Sequence, residues 1–299
     1  MSSPGEDRKR AARTHIPPAT HWPAPAKLNL FLHVTGRRAD GYHELQTLFQ
    51  LIDLYDTLTI GVREDGQIER PTGAAGVAAE SDLSLRAARA LKEATGTPYG
   101  ASISVHKRIP LGGGLGGGSS DAATTLLALN ELWECGLPLE ELARLALPLG
   151  ADVPVFVHGS SAWAEGVGER LTPVSLPERW YVVIYPGVGV STREVFQSPE
   201  LTRNSPLITI RAFFESGGSN DCEPVVRALS PEVAEVLQWL TGRAAARLTG
   251  TGSCVFSACT SAADAERLAA QVPDRWMSFV ARGLSSSPVH RQLRGGRRS

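Results

Sequence analysis

The sequence predicts an α+β fold in two lobes with a cleft between them. Three observations point there. Segments of strand period and helix period alternate along a chain of 299 residues. Two glycine turns, at 112–118 and 250–252, each adjoin a strand-like segment. Proline and polar residues cluster over 170–179, ahead of a short apolar run at 180–185 that opens the second half. The length accommodates two domains or one large one with a real core. The expected layout is a disordered basic extension over 1–21, a first lobe over 22–172, a second over 173–293 and a loose tail over 294–299.

Each element has its own signal. Leu28, Leu30, Leu32 and Val34 form one face of a strand broken by Gly36. A charged turn at 37–41 leads to an apolar stretch over 45–52, and 56–62 has the pattern of a further strand. Residues 82–95 make a helix with Leu83, Ala87, Ala90 and Leu91 inward. Over 101–109 the chain alternates again and Pro110 ends the strand. Ala122, Leu126, Leu129 and Trp133 then recur at helical spacing, with Ser119 as the expected N-cap and Gly136 as the stop. Short helices follow at 139–147 and 231–240, and a strand at 254–258. No internal repeat is visible.

The most informative stretch is Pro110-Leu111-Gly112-Gly113-Gly114-Leu115-Gly116-Gly117-Gly118-Ser119-Ser120. Glycines leave main-chain amides bare and free to take positive φ. At a helix N-terminus such amides and the helix dipole attract a polyphosphate. A flexible linker does not ordinarily sit between a strand and an amphipathic helix. Ser119 stands where a Walker loop needs lysine, which excludes that loop. Gly112, Gly114 and Gly117 also satisfy the dinucleotide spacing. In so glycine-rich a tract the match carries little weight without a βαβ unit and a ribose-binding acid.

The composition narrows the field. A formal net charge of −1 sets up no global attraction to nucleic acid or anionic membrane. No apolar run is long enough to span a bilayer, and the basic N-terminus lacks the apolar core of a secretory signal. Cys135, Cys222, Cys254 and Cys259 have no metal-binding spacing and suit small buried residues in a reducing compartment, so a cytoplasmic location is expected. The arginines over 291–299 have the character of a solvated tail.

Four blocks coincide with one superfamily: 25–30 (PAKLNL), the glycine tract, 149–154 (LGADVP) and 248–253 (LTGTGS). They resemble the motifs of the GHMP small-molecule kinases, and the resemblance implies the two-lobed GHMP kinase fold with its active site between the lobes. Residues 35–47 (TGRRADGYHELQT), 220–225 (NDCEPV) and 281–290 resemble one branch of it. That branch phosphorylates the 2-hydroxyl of a cytidine-diphosphate-linked methylerythritol in the non-mevalonate isoprenoid pathway. Cys222 stands where the branch pattern has an aromatic residue.

The resemblance implies ATP as co-substrate, held by residues 110–120, with Mg2+ bridging its phosphates and Ser120 as one candidate contact. It implies Asp152 as catalytic base and Lys27 as its charged partner. Tyr42 and Phe196 would sandwich the cytosine, His43 would read its hydrogen-bonding edge and Asn29 would orient the methylerythritol. The implied partner is a small molecule bearing a cytidine diphosphate group, with neither nucleic acid nor membrane. Neither a metal-ligand set nor an oligomeric state is legible.

Taken singly, each residue has a plain structural role. Asp152 can cap a helix starting at Val153, Lys27 can edge a strand, and His43, Tyr42 and Phe196 can simply pack. Asn29 can belong to a turn, and Gly250 and Gly252 can make one. Their joint order in one pattern favours the functional reading. The rivals are a homoserine, mevalonate or sugar kinase of the same fold, an oxidoreductase using the dinucleotide spacing, and an RNA binder relying on the basic ends.

Overall fold

A long antiparallel hairpin organises the protein, whose computed structural model describes residues 18–72 and 78–296. Its arms are β1 (Thr20–Arg37) and β2 (His43–Arg63). The Arg38 and Gly41 amides close the turn onto Tyr42 and Arg38 carbonyls, and Asp40 accepts the Tyr42 amide. Gly41 sits at φ +89°, the left-handed geometry that an Asp-Gly turn supplies. The apolar runs at 45–52 and 56–62 belong to this one strand β2. Asp53, between them in sequence, accepts the Arg282 amide at its Oδ1, and Asp56 is fully buried, its carboxylate accepting the Arg108 and Ile109 amides and pairing with Lys107. Acids whose oxygens are satisfied in this way can lie within one continuous strand.

The first half adds β3 (Ile68–Glu69), α1 (Leu83–Thr95), β4 (Gly100–His106), α2 (Gly117–Leu132), α3 (Leu139–Ala146), α4 (Val153–His158), β5 (Ala162–Gly166) and β6 (Arg170–Pro173). Asp82 caps α1 by accepting the Ser84 amide. Ser119 does not cap α2. That helix starts earlier, with Gly116 as its N-cap in the left-handed region and no side-chain cap. Ala122, Leu126, Leu129 and Trp133 are buried along α2 as the helical spacing predicts.

The second half comprises β7 (Trp180–Tyr185), α5 (Thr192–Gln197), α6 (Ile210–Ser216), α7 (Glu223–Leu229), α8 (Pro231–Thr241), β8 (Arg247–Leu248), β9 (Val255–Cys259), α9 (Ala262–Ala269), β10 (Met277–Leu284) and α10 (Pro288–Gly296). α10 changes the expectation of a loose tail over 294–299 only as far as Gly296, and residues 297–299 lie outside the described residues. Residues up to Gly296 are helical, with Val289 buried and the His290 ring meeting the Val157 carbonyl at 2.8 Å. Its basic residues lie on a helix whose apolar positions pack inward, a pattern that a charge run conceals. Of the expected N-terminal extension, residues 1–17 lie outside the described residues, and Thr20 and His21 already belong to β1.

The sheet runs β3-β4-β2-β10-β7-β9-β8, with β1 and β5 also on β2, and β6 on β5. It is therefore continuous across the expected boundary at 172/173, because Gly283 and Leu284 of β10 pair with Ile52 and Leu51 of β2. Apolar packing has a larger share on each side of a middle cluster. There Ala26, Leu28, Ile52, Ile109 and Leu115 meet Tyr181, Val183, Cys254 and Phe256. Leu115, the one apolar residue inside the glycine tract, is 1% exposed and roots the tract in that seam.

Asn220 fastens the far side. Its amide donates to the Leu248 and Gly250 carbonyls at 2.9 and 2.8 Å, while its Oδ1 accepts the Cys222 amide. Asn220→Ala leaves these buried groups unpaired. It is expected to cost about 2–3 kcal/mol, read as a lower urea midpoint with an unchanged slope.

Candidate active site

Alternation along β1 puts Lys27 and Asn29 on one face, 3% and 2% exposed respectively. The Lys27 ammonium has three protons and three acceptors in reach: Asn29 Oδ1 at 2.5 Å, Gly114 O at 3.1 Å and Asp152 Oδ2 at 3.2 Å. The Phe49 ring adds a flank, 5.4 Å from Nζ. Asn29 is held in turn, its Nδ2 donating to Thr47 Oγ1 at 3.0 Å and its amide to Thr249 Oγ1 at 3.0 Å. Asp152 is the N-cap residue of α4, yet its side chain makes no cap hydrogen bond. The carboxylate turns to Lys27 instead and stays 34% exposed toward the cleft. The plain capping role therefore does not apply.

The glycine tract packs its carbonyls away and leaves its amides free. The Ser253 and Cys254 amides donate to the Gly112 and Gly113 carbonyls at 3.1 Å each, and the Lys27 amide to the Leu115 carbonyl at 3.0 Å. The Gly114 carbonyl accepts from Lys27 Nζ and Thr249 Oγ1. Among the described residues, the amides of Gly112, Gly114, Leu115 and Gly116 have no acceptor in the protein, and α2 starts directly after them. Bare amides joined to a helix N-terminus make an anion cradle. Gly114 must be glycine: its φ is +72°, and a Cβ there would lie 2.2 Å from the Thr249 carbonyl oxygen.

A cleft of about 410 Å3 collects these groups. Lys27, Asn29, Asp152, Phe196 and residues 110–119 line it, as do Lys107, Thr192 and Thr251. Ser120 does not. Its side chain is fully buried with Oγ unpaired, so of the two serines it is Ser119 that lines the cleft. The dinucleotide reading also loses its frame. α2 is followed by α3 and α4, not by a strand parallel to β4.

Residues 82–160 match the profile of the GHMP kinases N terminal domain and 199–277 that of the GHMP kinases C terminal. The 4-diphosphocytidyl-2-C-methyl-D-erythritol kinase of Pseudomonas aeruginosa (strain LESB58) is 56% identical over 271 residues, 91% of this chain and 96% of that protein. The protein of the same name from Halorhodospira halophila (strain DSM 244 / SL1) is 55% identical over 275 residues, with the same coverage. The chain belongs to the 4-diphosphocytidyl-2-C-methyl-D-erythritol kinase family of the GHMP kinases. A crystal structure of 4-(cytidine 5'-diphospho)-2C-methyl-D-erythritol kinase superposes with a TM-score of 0.77 at 37% identity, covering 88% of this chain and 99% of that one. Homoserine kinase from Cytophaga hutchinsonii ATCC 33406 shares the fold at 17% identity and a TM-score of 0.69, covering 92% of this chain and 98% of its own.

In this family member the three residues assigned to the cytosine are only partly brought together. Phe196, on α5, lines the cleft. His43 stacks on it, with ring centroids 4.9 Å apart and planes at 25°. Tyr42 stands on the hairpin turn, 65% exposed, with no ring contact to either among the described residues. It is no lid over the core. His43, largely desolvated and facing Arg203 and Arg37, is held below the ordinary histidine range.

Sequence reasoning missed two supports. Arg203 donates Nε–H to His43 Nε2 at 3.1 Å, and nothing in its sequence surroundings marks it. Beneath the glycine tract, Lys107 bridges Asp56 and Asp121, the latter at 2.7 Å. Burial pushes the Asp121 carboxyl well above the ordinary range against the pull of Lys107, and the like charge of Asp56 adds to the rise. Gly114→Ala is expected to weaken ATP by at least about tenfold in calorimetric titration, since the new Cβ forces apart the two glycine turns and strains a positive φ.

Proposed function

We propose that this chain transfers the γ-phosphoryl group of ATP to the 2-hydroxyl of 4-diphosphocytidyl-2-C-methyl-D-erythritol. Asp152 serves as base and Lys27 as its charged partner. One observation carries the reading: the half-open Asp152 carboxylate and the bare amides of the glycine tract face one cleft, joined through a single lysine. The names of relatives more than half identical over nearly the whole chain support the substrate.

Phosphoryl transfer depends mainly on positioning and charge stabilisation. The amides of Gly112, Gly114, Leu115 and Gly116 hold the triphosphate, and the α2 N-terminus adds its dipole. Asp152 accepts the proton of the attacking hydroxyl. Lys27 keeps Asp152 aimed and offsets charge growing on the transferred oxygens. Asn29 and Thr249 hold Lys27 and the tract in register, so the two functions move as one body.

Among the described residues no group of three His, Cys, Asp or Glu gathers as a metal site. Mg2+ prefers phosphate and water oxygens with few protein ligands, and Ser119, next to the bare amides in the cleft lining, is one residue that would offer it an oxygen. When bound, the ion neutralises charge on the β- and γ-phosphates.

On the cytidine side, Phe196 offers a stacking face at the cleft wall and Tyr42 a free ring on the turn, suited to close over a flat base. Asp152→Asn is expected to keep ATP affinity within about twofold while lowering kcat at least about a hundredfold. Titration calorimetry paired with product formation on the diphosphocytidyl substrate checks this. Near-normal turnover would remove Asp152 from the role of base.

A further inference from the structure

The Arg203 guanidinium is committed on every side. Its Nη1 donates to the Leu201 carbonyl at 3.0 Å, and its Nη2 to the Phe196 and Ser198 carbonyls at 2.9 and 2.8 Å. These contacts tie down the carbonyl end of α5 and the segment after it. The remaining donor, Nε–H, points at His43 Nε2 from a position 160 residues along the chain, at 3.1 Å. An arginine nitrogen only donates, so Nε2 must present its lone pair. A neutral imidazole then carries its proton on Nδ1, and among the described residues Nδ1–H has no acceptor in the protein.

We infer that Arg203 is a positioning residue that sets base specificity: it fixes His43 as the Nδ1–H tautomer stacked beside Phe196, so that His43 offers a pyrimidine a donor and no acceptor. This rests on the proposed cytidine diphosphate group of the substrate. A ring nitrogen that accepts, as in cytosine, meets this donor productively. The same nitrogen in uracil carries a hydrogen and meets it donor to donor. The mismatch leaves a largely buried polar group unpaired, the kind of error that discriminates strongly between close analogues. One side chain thereby couples the tautomer of a β2 residue to the placement of the α5 ring that stacks on it.

Cytidine 5′-diphosphate and uridine 5′-diphosphate are the probes, with dissociation constants measured by calorimetry on the whole chain. The wild type is expected to prefer cytidine about tenfold or more. Arg203→Met is expected to bring that ratio close to one while ATP affinity stays unchanged. Arg203→Lys, which cannot fork across four acceptors, is expected to lie between them. Independently of any variant, 15N correlation spectra of the wild-type imidazoles should show His43 neutral and protonated on Nδ1. An Nε2–H tautomer or an imidazolium at neutral pH overturns the inference. So does an undiminished cytidine preference in a folded Arg203→Met protein, or equal wild-type affinity for the two nucleotides, and either of these leaves the kinase reading intact. Binding of neither nucleotide by the wild type removes the cytidine reading itself and this inference with it.

Discussion

A single buried ammonium holds three separate stretches of chain at one point. Lys27 comes from β1, Asp152 from the start of α4, and the Gly114 carbonyl from the tract between β4 and α2. A charge taken this far out of water is tolerated only with its donors satisfied, and removing one partner of such a group typically costs about 3–5 kcal/mol. The spacing of the Asp152 carboxylate, the glycine tract and β1 is thus set by one side chain. Asn29 and Thr249 add the second layer, since each touches both the lysine's neighbourhood and a glycine turn.

The glycine tract works by sorting its two kinds of polar group. Its carbonyls face inward, where β1 and the 249–254 turn supply donors, and its amides are left to the cleft. That sorting needs positive φ at Gly112, Gly114 and Gly116, and a very close approach of the two turns at Gly114. Leu115 holds the tract down in the middle cluster between the halves. An anion cradle in one lobe is therefore built partly from the other. The sheet likewise continues from one half to the other, through β2 and β10.

How legible the site was depended on the kind of signal. Residues 110–119 were readable because a glycine run is a local pattern, whereas Lys27, Asn29 and Asp152 were marked only by the resemblance of their blocks to the GHMP kinase motifs. Their convergence in one cleft agrees with that reading. Ser119 as N-cap was a propensity argument. It failed because Gly117 and Gly118, poor helix formers, are drawn into the first turn of α2 by tertiary packing. The continuity of β2 and the helical character of residues 294–296 were hidden for a related reason. Asp53 looks like a break until its partner, the Arg282 amide, is known, and the exposed arginines of α10 mask the buried Val289 beside them. Arg203 had no local signal, since its role exists only through a ring 160 positions away.

The amino-acid order alone determined most of the alternation of elements and the bare-amide character of the glycine tract. Those properties follow from side-chain chemistry and short-range periodicity, which no distant contact alters. Tertiary structure decided which carboxylate was free to act, which hydroxyl faced the cleft, and where each tract carbonyl found its donor. It also set His43 against Phe196 under Arg203 and left Tyr42 outside. Each of these is a choice among hydrogen-bond partners, and a polar group's partner is settled only when the chain has closed around it.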